Sequence, residues 1–129
     1  MEGERKKDDK LFLHNFRQLT IWQESMELAK SIHIRTSVFP TEERYGLKSQ
    51  LNRCSVSVPS NIAEGSSRSS DKEFSHFIKI SLGSLFELET QITLAYEFKL
   101  IQKTDFENLL DSIVRLQKMI TNFLKTLNK

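Results

Sequence analysis

Phe74, Phe77, Ile78, Leu82, Leu85, Leu88, Ile92 and Ala95 return at steps of three and four, the spacing that lays side chains along one face of an α-helix. A strand, with its period of two, would scatter these residues over both faces. So long an unbroken stripe commits this part of the chain to a helix and, because one helix cannot bury its own apolar face, commits the rest to supplying partners. Only 4 glycines and 2 prolines occur in 129 residues, too few for the turns of an all-β fold.

Three further helices are expected. Ser70 with Glu73 forms a capping box that opens the stripe's own helix at Asp71, running to about Phe98 after the GSSRSS loop of Gly65 to Ser70. Upstream, Thr20 with Gln23 reads as a capping box for a first helix to Ser37. There Trp22, Met26, Ala29, Ile32 and His33 recur at helical spacing beside a second stripe of Ile21, Leu28 and Ile32. Phe39-Pro40 ends it, because the residue before a proline is pushed out of helical geometry. Thr41 is placed to cap a second helix, with Glu42 and Glu43 in its first turn, Pro59 inside it, and Gly65 as the residue that stops it. Thr104 with Glu107 is a third capping box, opening a last helix whose stripe includes Phe106, Leu109, Ile113, Leu116, Ile120 and Phe123.

Short connections make sequential helices antiparallel neighbours, so the fold class is all-α, an antiparallel up-down-up-down four-helix bundle. The bundle domain occupies 15–129, behind a tail at 1–14 whose first ten residues, MEGERKKDDK, are densely charged with mixed sign. That tail has no apolar core of a secretory signal, and no apolar run approaches the roughly 20 residues that span a membrane. A lone cysteine, Cys54, permits no internal disulfide, and the chain is expected in the cytoplasm, with no membrane partner.

Some apolar residues fall outside the main stripes: Ile80 and Leu94 on the third helix, Val114 and Met119 on the fourth. A helix apolar on two faces buries the second against another subunit. Ile80, Gly83, Ser84 and Leu94 are therefore the candidate oligomer interface, the small residues allowing close backbone approach.

Trp22-Gln23, Phe39-Pro40, Tyr45-Gly46-Leu47, Gln50, Arg53, the run SVPSNIAEG from Ser57 to Gly65, Arg68, and Gly83-Ser84 followed by Glu87-Leu88-Glu89 resemble the 23S rRNA intervening-sequence proteins. The resemblance covers about Leu19 to Leu127 and implies a four-helix bundle that assembles as a homopentameric ring. The accessory protein of diversity-generating retroelements, which binds nucleic acid and a reverse transcriptase, is similar in fold and assembly. The resemblance transfers no catalytic residue. Asn52-Arg53 stands where the family usually has two arginines, and Cys54-Ser55 where it usually has two alanines.

Gln50, Arg53, Ser57, Asn61 and Glu64 share one broad helical face. One reading makes it a binding surface with Arg53 on a phosphate. The other makes Gln50, Arg53, Asn61 and Glu64, with Glu87 on the third helix, a hydrogen-bonded network between helices or subunits. The candidate nucleic-acid contacts are Arg44, Lys48, Arg53, Arg68 and Lys72, whose phosphate contacts would carry affinity without sequence preference. Net charge, at +2, neither demands nor excludes a polyanion.

Catalysis has no foothold in the sequence. Glu73 and His76 have the Glu-x-x-His spacing of di-iron bundles, but such a site needs two of these motifs, and His14 and His33 follow Leu11 and Lys30 instead. GSSRSS lacks the ending of a phosphate loop. The expectation is a non-enzymatic protein with no metal, cofactor or small-molecule substrate. It would bind RNA or DNA, assist a nucleic-acid enzyme, or act as a scaffold for protein alone.

Overall fold

The computed structural model describes residues 15–43 and 45–128. The charged tail over 1–14 and the candidate Arg44 lie outside the described residues. Four helices account for most of the chain: α1 (Thr20–Thr36), α2 (Leu47–Ser66), α3 (Asp71–Glu97) and α4 (Lys103–Leu127). Short 3₁₀ turns at Phe16–Gln18 and Thr41–Glu43 precede α1 and α2. Among the described residues there is no strand, and no helix is long and apolar enough to cross a membrane.

Each helix packs on two others: α1 on α2 and α4, and α3 on α2 and α4. The four stripes meet in one core in which Ile32, Ile62, Ile78, Leu85, Ile113 and Ile120 are fully buried. Specific pairs fix the register. Along α3 and α4, Phe74 meets Phe123 edge-on at 5.5 Å, Gln117 donates to Glu89 at 2.8 Å, and Tyr96 stacks on Phe106 at 4.5 Å. Between α1 and α4, Arg115 pairs with Glu24 at 2.9 Å and Arg35 with Asp105 at 3.3 Å. Between α2 and α3, the buried Ser81 hydroxyl donates to the Val58 carbonyl at 2.8 Å. Asn52 ties α2 to the end of α1, donating to the Thr36 hydroxyl at 2.8 Å and to the Lys48 carbonyl at 2.9 Å.

Helix ends depart from the sequence expectations in four places. Leu19, not Thr20, is the N-cap of α1 and has no side-chain cap; Gln23 turns back instead to donate to the Arg17 carbonyl at 2.8 Å, holding the preceding turn. Thr41 does not open α2. It starts the 3₁₀ turn, because Phe39 is buried and the chain must swing round through Tyr45 and Gly46 before α2 can lie on the core. At α4, Gln102 occupies the cap position without a side-chain bond and Thr104 falls inside the helix. Leu100 and Ile101 pack on the core just before it and so set where the helix begins.

Gly65 is the fourth departure. It does not stop α2, which continues through it to Ser66. A Cβ on Gly65 would lie 2.8 Å from Phe77 Cβ and 2.8 Å from Phe74 Cδ1, so this glycine is there to let α3 approach. By contrast the Ser70 cap forms as expected, its hydroxyl accepting from the Glu73 N–H at 3.1 Å. Pro59 lies inside α2 and is buried.

The two stripes of α1 also divide in an informative way. Ile21, Leu28 and Ile32 enter the core together with Ser25 and Thr36, whose hydroxyls bond to their own helix. Of the stripe Trp22, Met26, Ala29, Ile32 and His33, Ile32 is buried and Trp22 packs partly on the core, while Trp22, Met26, Ala29 and His33 line an open groove beside α2. On α4, Met119 packs against the core and Val114 is half-buried, so that helix keeps little of the second face expected of it.

Candidate functional site

Two polar regions form on α2 and α3. The first is the seam between them. Cys54 donates through Sγ to the Ser84 carbonyl at 3.0 Å and lies 3.7 Å from Glu87 Oε1. Ser57 donates to the carbonyl of Cys54 at 2.6 Å and accepts from the Ser84 hydroxyl at 2.6 Å. Burial, reinforced by the Glu87 carboxylate, pushes the Cys54 thiol up to about 12. A thiol so protonated is no nucleophile, and Cys54 acts as a small packed donor.

The proposed polar network is distributed differently within one chain. Arg53 donates to the Ser49 hydroxyl at 3.2 Å, Asn61 to the Ser57 carbonyl at 2.8 Å, and Glu64 pairs with Arg68 at 2.7 Å. Gln50 is exposed. Glu87 takes its contact from Cys54, and neither Arg53 nor Asn61 bonds to it in the protomer. Spacing could not show that short bonds to the same helix, or to the loop that follows it, would occupy Arg53, Asn61 and Glu64.

The second region is the first part of α3. Lys72, His76 and Lys79 stand at i, i+4 and i+7, all exposed, and with Arg68 they line an open groove of about 920 Å³. Glu73 and Asn128 line it too. Arg68 is held in place: its guanidinium lies 4.6 Å over the Phe77 ring while pairing with Glu64, and its Nε is buried without a partner. The structure therefore brings Arg68 and Lys72 together but places Lys48 and Arg53 on the first half of α2, roughly 30 Å of helix separating Lys48 from Arg68 at 1.5 Å per residue. Lys79 escaped the sequence reading, and His76 was weighed there only as a metal ligand with Glu73, although the spacing of both from Lys72 was the available signal. Among the described residues, no three His, Cys, Asp or Glu side chains gather as a metal site.

The sequence profile of the 23S rRNA-intervening sequence proteins matches residues 17–122 of this chain. The chain belongs to that family. No curated protein matches it. Among solved structures, a protein with unknown function from the S23 ribosomal protein family of Bacteroides thetaiotaomicron is similar, at 21% identity over 81% of this chain and 95% of that one, with a TM-score of 0.76. At that identity the likeness concerns the fold.

This intervening-sequence protein also carries two apolar surfaces that its own bundle does not cover. The groove between α1 and α2 has a volume of about 690 Å³ and is lined by Trp22, Met26, Ile34, Val56, Pro59 and Ala63 among others. Val56 is 54% exposed and Ile34 59%. The other surface is the outward ridge of α3, where Phe86 is 55% exposed and Ile80 and Leu94 are also exposed. Gly83 on this ridge has open space where a Cβ would sit. Of the four interface candidates, Ile80, Gly83 and Leu94 thus face outward, whereas Ser84 is half-buried and spent on the seam to α2.

Proposed function

We propose that this protein is a non-enzymatic, cytoplasmic, homo-oligomeric bundle, antiparallel in up-down-up-down order, that holds RNA or DNA by its phosphates. The observation that carries the nucleic-acid reading is the line of Lys72, His76 and Lys79 along α3, joined by Arg68 in one groove. Phosphate contacts from such residues supply affinity without reading sequence. Repeated around a ring, which the family resemblance sets at five copies, a modest patch becomes a large positive surface. The antiparallel order is supported by partners that count up along α3 as they count down along α4: Phe74 with Phe123, then Tyr96 with Phe106.

A scaffold that binds protein alone is the second reading. It is favoured by Glu64, which pairs with Arg68 directly, and by Glu73, whose carboxylate lines the same groove as the cations. Fluorescence polarisation with a structured RNA and a DNA duplex, titrated with salt, separates the two. The nucleic-acid reading expects binding at low salt that weakens linearly in log[salt], by roughly 0.9 per phosphate contact on B-DNA and less on single strands. Lys72→Glu with Lys79→Glu should abolish most of it and flatten the slope. No retention of either probe at low salt leaves the scaffold.

A further inference from the structure

We infer that the α3 ridge carrying Phe86 and Leu94 seats in the α1–α2 groove of a second copy of this chain, with Arg53 of one copy opposite Glu87 of the next. The inference rests on the proposed homo-oligomer and assigns the faces that make it.

Two observations pair these surfaces. The first is shape and polarity. The groove is concave and almost wholly apolar, while the ridge is a convex helix edge that presents a phenylalanine, two aliphatic side chains and a glycine with free space above it. Contiguous exposed apolar surface of this kind marks an interaction site. The second is charge. Arg53 follows the groove-lining Asn52 on α2, one turn before Val56, is exposed, and among the described residues has only the Ser49 hydroxyl as partner. Glu87 lies beside Phe86 on the ridge, is exposed, and among the described residues is met only by the neutral Cys54 thiol. Arg68, Arg35 and Arg115, in contrast, already pair with carboxylates inside the protomer. Beside the groove, then, stands a cation and on the ridge a carboxylate that have no ion-pair partner among the described residues.

Groove and ridge are different patches of one molecule, so their contact is head-to-tail. Each copy that docks its ridge still offers its groove, and addition continues until a rotation closes the ring. A twofold dimer covers both surfaces only if each copy seats its ridge in the other's groove at once, and its mass, twice that of the protomer, distinguishes it from a ring.

Light scattering on a size-exclusion column, with circular dichroism as a control for folding, tests the assignment. Wild type should run as an oligomer. Phe86→Glu on the ridge and Val56→Glu in the groove should each reduce it to the 15.1 kDa protomer with helix content unchanged. Arg53→Glu and Glu87→Arg should each weaken assembly when alone, and mixing the two variants should restore much of it, because every contact between unlike variants joins opposite charges, although a ring of five keeps one contact between like variants. That rescue cannot come from a pair within one chain. A monomeric wild type would overturn the oligomer itself. An oligomeric wild type left intact by Phe86→Glu and Val56→Glu would overturn only the assigned faces. Loss of the oligomer on removing residues 1–14, with Phe86→Glu silent, would give the groove to the chain's own N-terminal segment and overturn the inference.

Discussion

A Cβ placed on Gly65 would stand 2.8 Å from the Cβ of Phe77, closer than such atoms approach in folded proteins. Glycine at this point lets the end of α2 and the start of α3 close on each other around Phe74, which is buried against α4's Phe123. The two backbones adjoin across the short loop, so neither can retreat without disturbing the core.

Gly65→Ala opposes two effects of known size. Alanine is favoured over glycine inside a helix by about 1 kcal/mol, whereas overpacking a tight contact costs about 1–3 kcal/mol. Since Phe77 Cβ is fixed to its backbone and cannot swing aside, the clash should win, and urea unfolding should show a net loss of about 1 kcal/mol. Gly83→Ala is the control. It meets nothing within 4 Å, so in a monomeric background such as Val56→Glu it should gain up to about 1 kcal/mol.

Lys99 ends α3 with φ of 63°, its N–H donating to the Tyr96 carbonyl at 2.9 Å while Leu100 N–H reaches the Ala95 carbonyl at 2.8 Å. This is the left-handed helix end at which glycine is usual, and a side chain there carries a steric cost of about 1–2 kcal/mol. Lys99→Gly should raise stability by about 0.5–1 kcal/mol after the entropy of glycine in the unfolded chain is counted. A lower midpoint in urea would contradict this account of the turn.

Cys54 gives a signature at alkaline pH. Its thiol is pushed from 9.0 to about 12, first by burial and then by Glu87. Between those values the unfolded chain loses the proton and the folded chain keeps it, so the unfolded state binds fewer protons and stability falls as pH rises through this window. Below it the group contributes no pH dependence. Cys54→Ala should flatten the alkaline limb of the stability profile, and iodoacetamide at pH 8 should label native protein far more slowly than protein in urea.

Asn52→Ala should cost about 1–2 kcal/mol, since it removes the side-chain bridge from α2 to Thr36 on α1 in a partly buried place. Thermal melting of the two proteins checks it. An unchanged Tm would mean that the Thr36 hydroxyl, which also donates to the Ile32 carbonyl, satisfies the junction alone.

Helical periodicity along Phe74 to Ala95 and Leu109 to Leu124 was legible without coordinates, because a period of 3.6 is a property of one segment and needs no partner. The Ser70 cap was legible for the same reason: its bond to the Glu73 N–H spans three residues. Caps assigned to Thr20, Thr41 and Thr104 failed where a neighbouring side chain, Phe39, Leu100 or Ile101 among them, was drawn to the core and moved the helix start.

The candidate site was read less completely. Arg68 and Lys72 fall together, but Lys48 and Arg53 stand toward the other end of α2, since residues on one helix can be well separated and still look clustered in sequence. On α1 the sequence offered two apolar stripes, and only the packed bundle chose Ile21, Leu28 and Ile32 for the interior, set Trp22 at its edge and left Met26 and His33 exposed. By itself, then, the sequence determined the helices and their family, through short-range spacing and capping. The tertiary structure decided which apolar face is core, why Gly65 must be glycine, and that Arg53 and Glu87 find no charged partner among the described residues, because each depends on atoms brought close only when separate helices pack.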